Sequence, residues 1–363
     1  MKLFDERTAS VLSTIIIFLV CAAFLYGARK ILVVFLFAIF FAYLLYPLVN
    51  LVQQKSSLSR GSRDRAITQV YAVLLICLVA IGFGIGPHVA FEGRKLAASM
   101  PELIGKLNSG QIVWTIGGKR GWSYETELHI QQFLASHRDS MIAWVTDIGS
   151  RATEILRNAI WLVLIPILAI FFLRDGRDLA EQVIEYADRT RQRAFLRGLI
   201  DDMNEMLAGY IRAQLLLAGL SLIVYTGMLL LMRVPYAAIL GVVGGIAEFI
   251  PVVGPLVAIV SIVGVSFLSN YPHVLLVVIF LGAWRLIQDY YNSPRIMGGK
   301  LELHPLAALF AILTGGEIGG VIGVFLSIPI MATLRIVWKR WRTYSHSGPP
   351  NVSRTNKGDL RIA

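Results

Sequence analysis

Two stretches near the end of the chain, Pro235 to Asn270 and Pro305 to Lys339, are almost wholly apolar, yet each is interrupted midway by residues that break helices. The first carries Glu248-Phe249-Ile250-Pro251-Val252-Val253-Gly254-Pro255; the second carries Gly315-Gly316-Glu317-Ile318-Gly319-Gly320. As one continuous helix, either stretch would run roughly 50 Å at about 1.5 Å per residue. A hydrocarbon core is only about 30 Å thick, so one crossing is too short for it and two barely fit. The pattern predicts a broken helix or re-entrant hairpin whose arms meet inside the membrane. Main chain freed at that depth persists only where protein or a watery cavity satisfies it, which is how transporters build binding sites.

The rest of the chain agrees with a bilayer environment. Mean hydropathy is +0.66, and 56% of residues are hydrophobic. That leaves too little polar surface for a water-soluble globule of this size. Spanning helices are expected near 9–27, 31–52, 66–90, 155–173, 214–233 and 272–290, with the two hairpins, 235–270 and 305–339, flanking the last of these. The expected fold is an all-α polytopic membrane protein with about six spanning helices and two hairpins of opposite orientation. The first apolar run reads as an uncleaved helix, because its leader mixes Asp5 and Glu6 with basic residues and its core is too long for a signal peptide.

A net charge of +11 raises the question of nucleic acid, but the basic residues gather at the ends of apolar runs and form no binding face. Cys21 and Cys77 sit inside predicted spans and suit neither a disulfide framework nor a metal site. Basic clusters follow the second span, the fourth span and the last apolar stretch, so the positive-inside rule puts both termini in the cytoplasm. Residues 91–154 then form an outer helical segment, and 174–213 a cytoplasmic amphipathic helical pair under the membrane. This makes 1–173 a scaffold and 214–339 a transport unit, with a polar tail over 340–363 that reads as disordered. By this topology the hairpins enter from opposite faces and bring their tips together near the midplane. The two share only Gly-Gly, a glutamate and an Ile-Pro, a thin basis for an internal duplication.

Several strings recur in a fixed order: Phe171-Phe172-Leu173-Arg174-Asp175-Gly176, Val234-Pro235-Tyr236-Ala237, Phe249 to Pro255, Asn292-Ser293-Pro294-Arg295-Ile296-Met297-Gly298, Leu303-His304-Pro305-Leu306, and Gly315-Gly316 leading to Ile328-Pro329-Ile330. In this order and spacing the chain resembles the AI-2E (PerM-like) family of bacterial inner-membrane proteins. The resemblance implies a multi-span, oligomeric permease. Some family members are linked to export of the quorum-sensing signal autoinducer-2, others to exchange of sodium or lithium for protons. Where a tyrosine–glycine–glutamine turn would be expected, this chain has Tyr210-Ile211-Arg212-Ala213-Gln214.

The candidate pathway residues are polar groups and breaks held in apolar surroundings. Glu248 and Glu317 are carboxylates at membrane depth, costly unless paired, solvated or protonated. Pro251, Gly254 and Pro255 in the first break, and Gly315, Gly316 and Gly319 in the second, free backbone that can serve as ligand. Asp289, Asn292 and Pro294 lie toward the end of the 272–290 helix, where an Arg285–Asp289 pair four residues apart explains two charges without transport. His304 precedes Pro305, and histidine is the side chain that ordinarily changes charge near neutral pH. No HExxH, Walker loop or GxSxG elbow appears, so the chain is not expected to be an enzyme or an ATP-driven pump, and no cofactor is implied. The expected activity is export of a small polar solute, with H⁺ or Na⁺ as coupling ion. The rivals are a Na⁺(Li⁺)/H⁺ antiporter and a non-transporting membrane scaffold.

Overall fold

The computed structural model describes residues 6–56, 61–108, 160–298 and 303–346, with parts of 123–136. The helices are α1 (Glu6–Gly27), α2 (Arg29–Lys55), α3 (Arg63–Gly84), α4 (Gly86–Asn108), α5 (Ile160–Glu185), α6 (Thr190–Leu231), α7 (Ala237–Ala247), α8 (Val253–Leu268), α9 (Val274–Ile287), α10 (Ser293–Met297) and α11 (Pro305–His346), and a π-helical turn, Gln288–Asn292, links α9 to α10. Among the described residues there is no strand, and six helical stretches are long and apolar enough to cross a membrane. The chain is an all-α polytopic membrane protein.

It divides into two compact units: Met1–Arg177 with Phe267–Tyr271, and Asp178–Ser266 with Pro272–Ala363. The core of the first unit lies where α2, α3 and α5 meet. Ala42, Leu45 and Val49 pack there against Ala66, Ile67, Val70, Ala169 and Leu173. The Tyr71 hydroxyl donates to the Pro166 carbonyl at 2.7 Å, and Arg63 Nε to the Leu173 carbonyl at 2.5 Å, so polar bonds as well as packing tie α3 to α5. Elsewhere the apolar side chains of α1 and α3 are largely exposed, Phe18, Phe24, Ile76 and Phe83 among them. Such a surface suits contact with lipid and not with water.

Both interrupted stretches of the second unit are hairpins. In the first, α7 and α8 run about 16 and 24 Å at the usual rise, each short of a full crossing. In the second, α11 reverses at Gly320, whose φ of 57° and ψ of −139° leave the helical region. A Cβ on Gly323 would sit 1.8 Å from the Gly315 carbonyl oxygen. Residues eight apart in a straight helix would lie about 12 Å apart, so this contact requires the arms to fold back on each other.

Several boundaries differ from those read in the sequence. The 66–90 span ends at Gly84, and α4 starts afresh at Gly86, because Pro87 lacks the N–H and crowds the preceding turn. The first part of the expected outer segment therefore belongs to α4. Most of the rest of that segment, residues 155–159 of the fourth span and the tail beyond 346 lie outside the described residues. Residues 174–213 are not a separate pair of helices. Their arms are continuations of α5 and of α6, which runs unbroken for 42 residues because no proline lies within it.

The polar half of α6 packs against the end of α11. Arg340 holds Asp202 by two bonds of 2.6 and 2.8 Å, Phe195 meets Trp341 and Tyr344, and Arg191 donates to the Tyr344 carbonyl. Gly198 makes room, since a Cβ there would stand 2.2 Å from an Arg340 guanidinium nitrogen. Arg340 keeps the Asp202 carboxyl below the usual carboxylate range. The pair's contribution is therefore complete above the unfolded carboxyl pKa of about 3.9 and is lost as pH falls through the lower folded value. Wild type should lose more stability than Asp202→Asn when thermal melts in detergent are taken from pH 6 down to about 2, by about 0.2–1 kcal/mol, the range for exposed pairs. Gly323→Val should lower Tm far more, because overpacking costs about 1–3 kcal/mol or more.

Candidate functional site

The first hairpin reaches its depth because α7 lies almost backbone to backbone on α6. A Cβ on Gly241 would stand 2.5 Å from Thr226 Cα, and one on Gly245 2.3 Å from Leu222 Cα. Small residues four apart allow this approach in a membrane, where dispersion and not hydrophobicity holds helices together. The arms of the hairpin are as close: a Cβ on Gly254 would fall 2.0 Å from the Ala247 carbonyl oxygen. Val252, between the arms, takes a φ of 66°, a left-handed conformation unusual for a β-branched residue.

Glu248 terminates α7 and is 6% exposed. The Tyr225 hydroxyl donates to Glu248 Oε1 at 2.7 Å, and Gln214 Nε2 donates to the Glu248 carbonyl at 2.8 Å. The second bond satisfies one of the acceptors that a helix end leaves unpaired. Arg285 Nη1 stands 3.8 Å from Glu248 Oε2, within ion-pair range but too far for a hydrogen bond. The same guanidinium grips Asp289, with Nε–Oδ2 at 2.8 Å and Nη2–Oδ1 at 2.5 Å. One cation thus serves two carboxylates. The buried one is held by a phenol and a distant charge, the outer one by direct bonds.

A second polar set fixes α9 on α6. Trp284 Nε1 donates to Ser221 Oγ at 3.2 Å, and Gln288 Nε2 donates to Ser221 Oγ at 2.7 Å and to the Leu217 carbonyl at 3.3 Å. Asn292 Nδ2 closes on Gln288 Oε1 at 2.8 Å. Ser221 and Gln288 are fully buried, so these bonds replace water the groups cannot reach. The π turn widens the helix where Pro294 has no N–H to give, and the Ser293 N–H reaches the Gln288 carbonyl five residues back.

The predicted residues thus divide. Gly254 and Pro255 are buried in the first hairpin, with Pro251 half-buried at its turn. Asp289 joins Glu248 through Arg285, whereas Asn292 and Pro294 shape the π turn. Gly315 and Gly316 let the second hairpin close, on Gly323 and Val324. Glu317 and Gly319 are exposed at its tip, and among the described residues Glu317 has no ion pair or hydrogen bond. The hairpins meet instead through Phe249, whose ring stacks on Phe325 with centroids 5.1 Å apart. His304 is exposed and its Nδ1 accepts the Leu306 N–H at 3.3 Å, which makes it the cap of α11. Sequence reasoning missed Gln214, Ser221 and Tyr225, although their spacing puts them on one face of an otherwise apolar helix.

A family model described as "AI-2E family transporter" matches residues 12–343. Among curated proteins, "Putative transport protein YueF" of Bacillus subtilis (strain 168) is 24% identical over 301 residues, 80% of this chain and 78% of that protein. "Putative transport protein YrrI" of the same organism is 24% identical over 327 residues, 85% of this chain and 86% of that protein. "Putative transport protein MT0215" of Mycobacterium tuberculosis (strain CDC 1551 / Oshkosh) is 27% identical over 284 residues, 74% of each chain.

Tyr225→Phe removes a hydrogen bond to a buried carboxylate oxygen and should cost about 1.5–3 kcal/mol, the range for bonds to charged groups. In a double-mutant cycle the cost should shrink in the Glu248→Gln background, where the acceptor is neutral. Thermal unfolding of the four proteins in one detergent measures both.

Proposed function

The chain belongs to the AI-2E transporter family, and on that footing we propose that it is a secondary permease exporting a small polar metabolite through the first hairpin's break, with Glu248 as the group that couples ion and solute. The chain is a multi-pass membrane transporter; the solute, the coupling and the direction are our reading. The observation behind it is the state of Glu248: buried, at the tip of a broken helix, and sharing its nearest cation with an outer carboxylate. A carboxylate in that position is costly to keep charged without a partner. When Glu248 takes a proton or a cation, Arg285 is left to Asp289 alone, and the attraction that draws α9 toward the hairpin tip weakens. When Glu248 gives it up, the attraction returns. A solute hydroxyl can take the place of the Tyr225 or Gln214 bonds at the same spot.

The family resemblance suggests autoinducer-2 as solute. We place the protein in the bacterial inner membrane with both termini in the cytoplasm, since the basic clusters lie at one set of helix ends. We expect a homo-oligomer, with no cofactor and no enzymatic step. Sodium or lithium exchange for protons is the second reading. It is favoured by the same shared guanidinium, because an ion-exchanging site needs a carboxylate whose partner can be released.

Reconstitution in liposomes tests both readings. Wild type should carry solute or change the pH reported by entrapped pyranine, and Glu248→Gln should reduce the rate at least about tenfold, the effect of losing about 1.4 kcal/mol of stabilisation. Glu317→Gln should keep most of the rate, because its carboxylate is exposed and unpaired among the described residues. Sodium-dependent pH change without organic solute flux selects the antiporter. Full activity in Glu248→Gln removes this glutamate from either mechanism.

A further inference from the structure

A different site lies in the first unit. Tyr46 on α2 is approached by two guanidinium groups, that of Arg63 at the start of α3 and that of Arg177 on α5. Their central carbons lie 5.5 and 5.7 Å from the centre of the ring. Arg63 spends its Nε on the Leu173 carbonyl, and Arg177 donates one terminal nitrogen to the Tyr46 hydroxyl. The remaining guanidinium nitrogens have no acid to bind among the described residues.

The acids nearby are accounted for. Asp175 is held by Arg174 at 2.8 and 3.0 Å, and Glu181 by Arg197 at 2.7 Å. Asp64 and Asp178 are exposed and pair with neither arginine. The connection from Lys55 to Ser62 contains Lys55 and Arg60 but no carboxylate at all. Two like charges brought onto one phenol repel each other, and among the described residues no carboxylate is paired with either of them.

We propose that Arg63, Arg177 and the Tyr46 hydroxyl form a headgroup site for an anionic phospholipid, with the phosphate oxyanion between the two guanidinium groups. A guanidinium offers phosphate two parallel N–H bonds, and a pair of them matches a phosphodiester that no single side-chain acid replaces here. Position favours a lipid over a soluble anion. The site sits where the apolar runs of α2, α3 and α5 give way to charged residues, the level at which headgroups lie. Leu48 and Leu51 on α2 and Ile167 and Phe171 on α5 are exposed close by in sequence, an apolar surface for the acyl chains.

The test uses the purified full chain, stripped of lipid in detergent. It is titrated with phosphatidylglycerol, with phosphatidylcholine of the same chains, and with inorganic phosphate, while native mass spectrometry counts bound molecules and thermal unfolding follows Tm. Phosphatidylglycerol should bind and raise Tm, whereas phosphatidylcholine and millimolar phosphate should do neither. Arg177→Gln should weaken phosphatidylglycerol binding about tenfold, as expected for a lost charged hydrogen bond. Arg65→Gln, an exposed neighbour, should leave it unchanged. Arg177→Lys keeps the charge without the fork and should lie between. It also serves as the deciding variant if circular dichroism shows Arg177→Gln to be misfolded. Wild-type binding by Arg177→Gln or, in its place, by Arg177→Lys overturns the proposal. So does equal binding of the two lipids. Phosphate that matches phosphatidylglycerol assigns the site to a soluble anion and also overturns it.

Discussion

A helix that stops inside a bilayer leaves carbonyl and amide groups that lipid cannot bond, and the second unit is organised around meeting that demand. The Glu248 carbonyl is taken by Gln214, and the turn that follows closes on itself through Gly254 N–H to Ile250 and Val253 N–H to Pro251. These bonds require the tip to lie against α6, and that is possible only because Gly241 and Gly245 present bare backbone to Thr226 and Leu222. Without the glycines the hairpin stands off, Gln214 loses its acceptor, and the carboxylate of Glu248 loses Tyr225.

The close approach also sets the electrostatics. A tip held this tightly carries its glutamate into a place where, among the described residues, one guanidinium pairs with it, and that guanidinium is already committed to Asp289. Its helix, α9, is pinned in turn by Gln288 on Ser221, so Arg285 keeps its station one turn away. Phe249 on Phe325 carries the tip's position to the second hairpin. Any change at Glu248 is therefore felt by α6, α9 and the second arm of α11 together. These are the elements that must move if access alternates.

The hairpins were legible in the sequence because proline and glycine runs inside apolar stretches longer than a span leave few other solutions. The Arg285–Asp289 pair was legible from its spacing of four. The partners of Glu248 were not, because contacts between Gln214 or Tyr225 and a residue more than twenty positions away depend on how far the hairpin sinks along α6, which no local pattern encodes. The 66–90 span is shorter than its hydropathy suggests for a simpler reason: Pro87 predicts the break by itself. The cytoplasmic pair reads as separate in the sequence because its polarity changes at Ala213, whereas helix continuity follows backbone chemistry and is indifferent to polarity.

The two hairpins look alike in outline and differ in what they can do, and the difference lies in where the glutamate falls relative to the glycines. Glu248 comes three residues after Gly245, so the glycine face that grips α6 also turns the carboxylate inward, and the chain breaks only after it. Glu317 comes directly after Gly316, whose neighbour Gly315 faces the hairpin's own second arm at Gly323. Its glycines are spent on closing the hairpin and not on docking it, which leaves the glutamate at an exposed tip. Similar letters in a different register thus give one hairpin a buried, partnered acid and the other a bare turn. If the pair descends from a duplication, only the first copy has kept the geometry that makes a carboxylate at membrane depth usable.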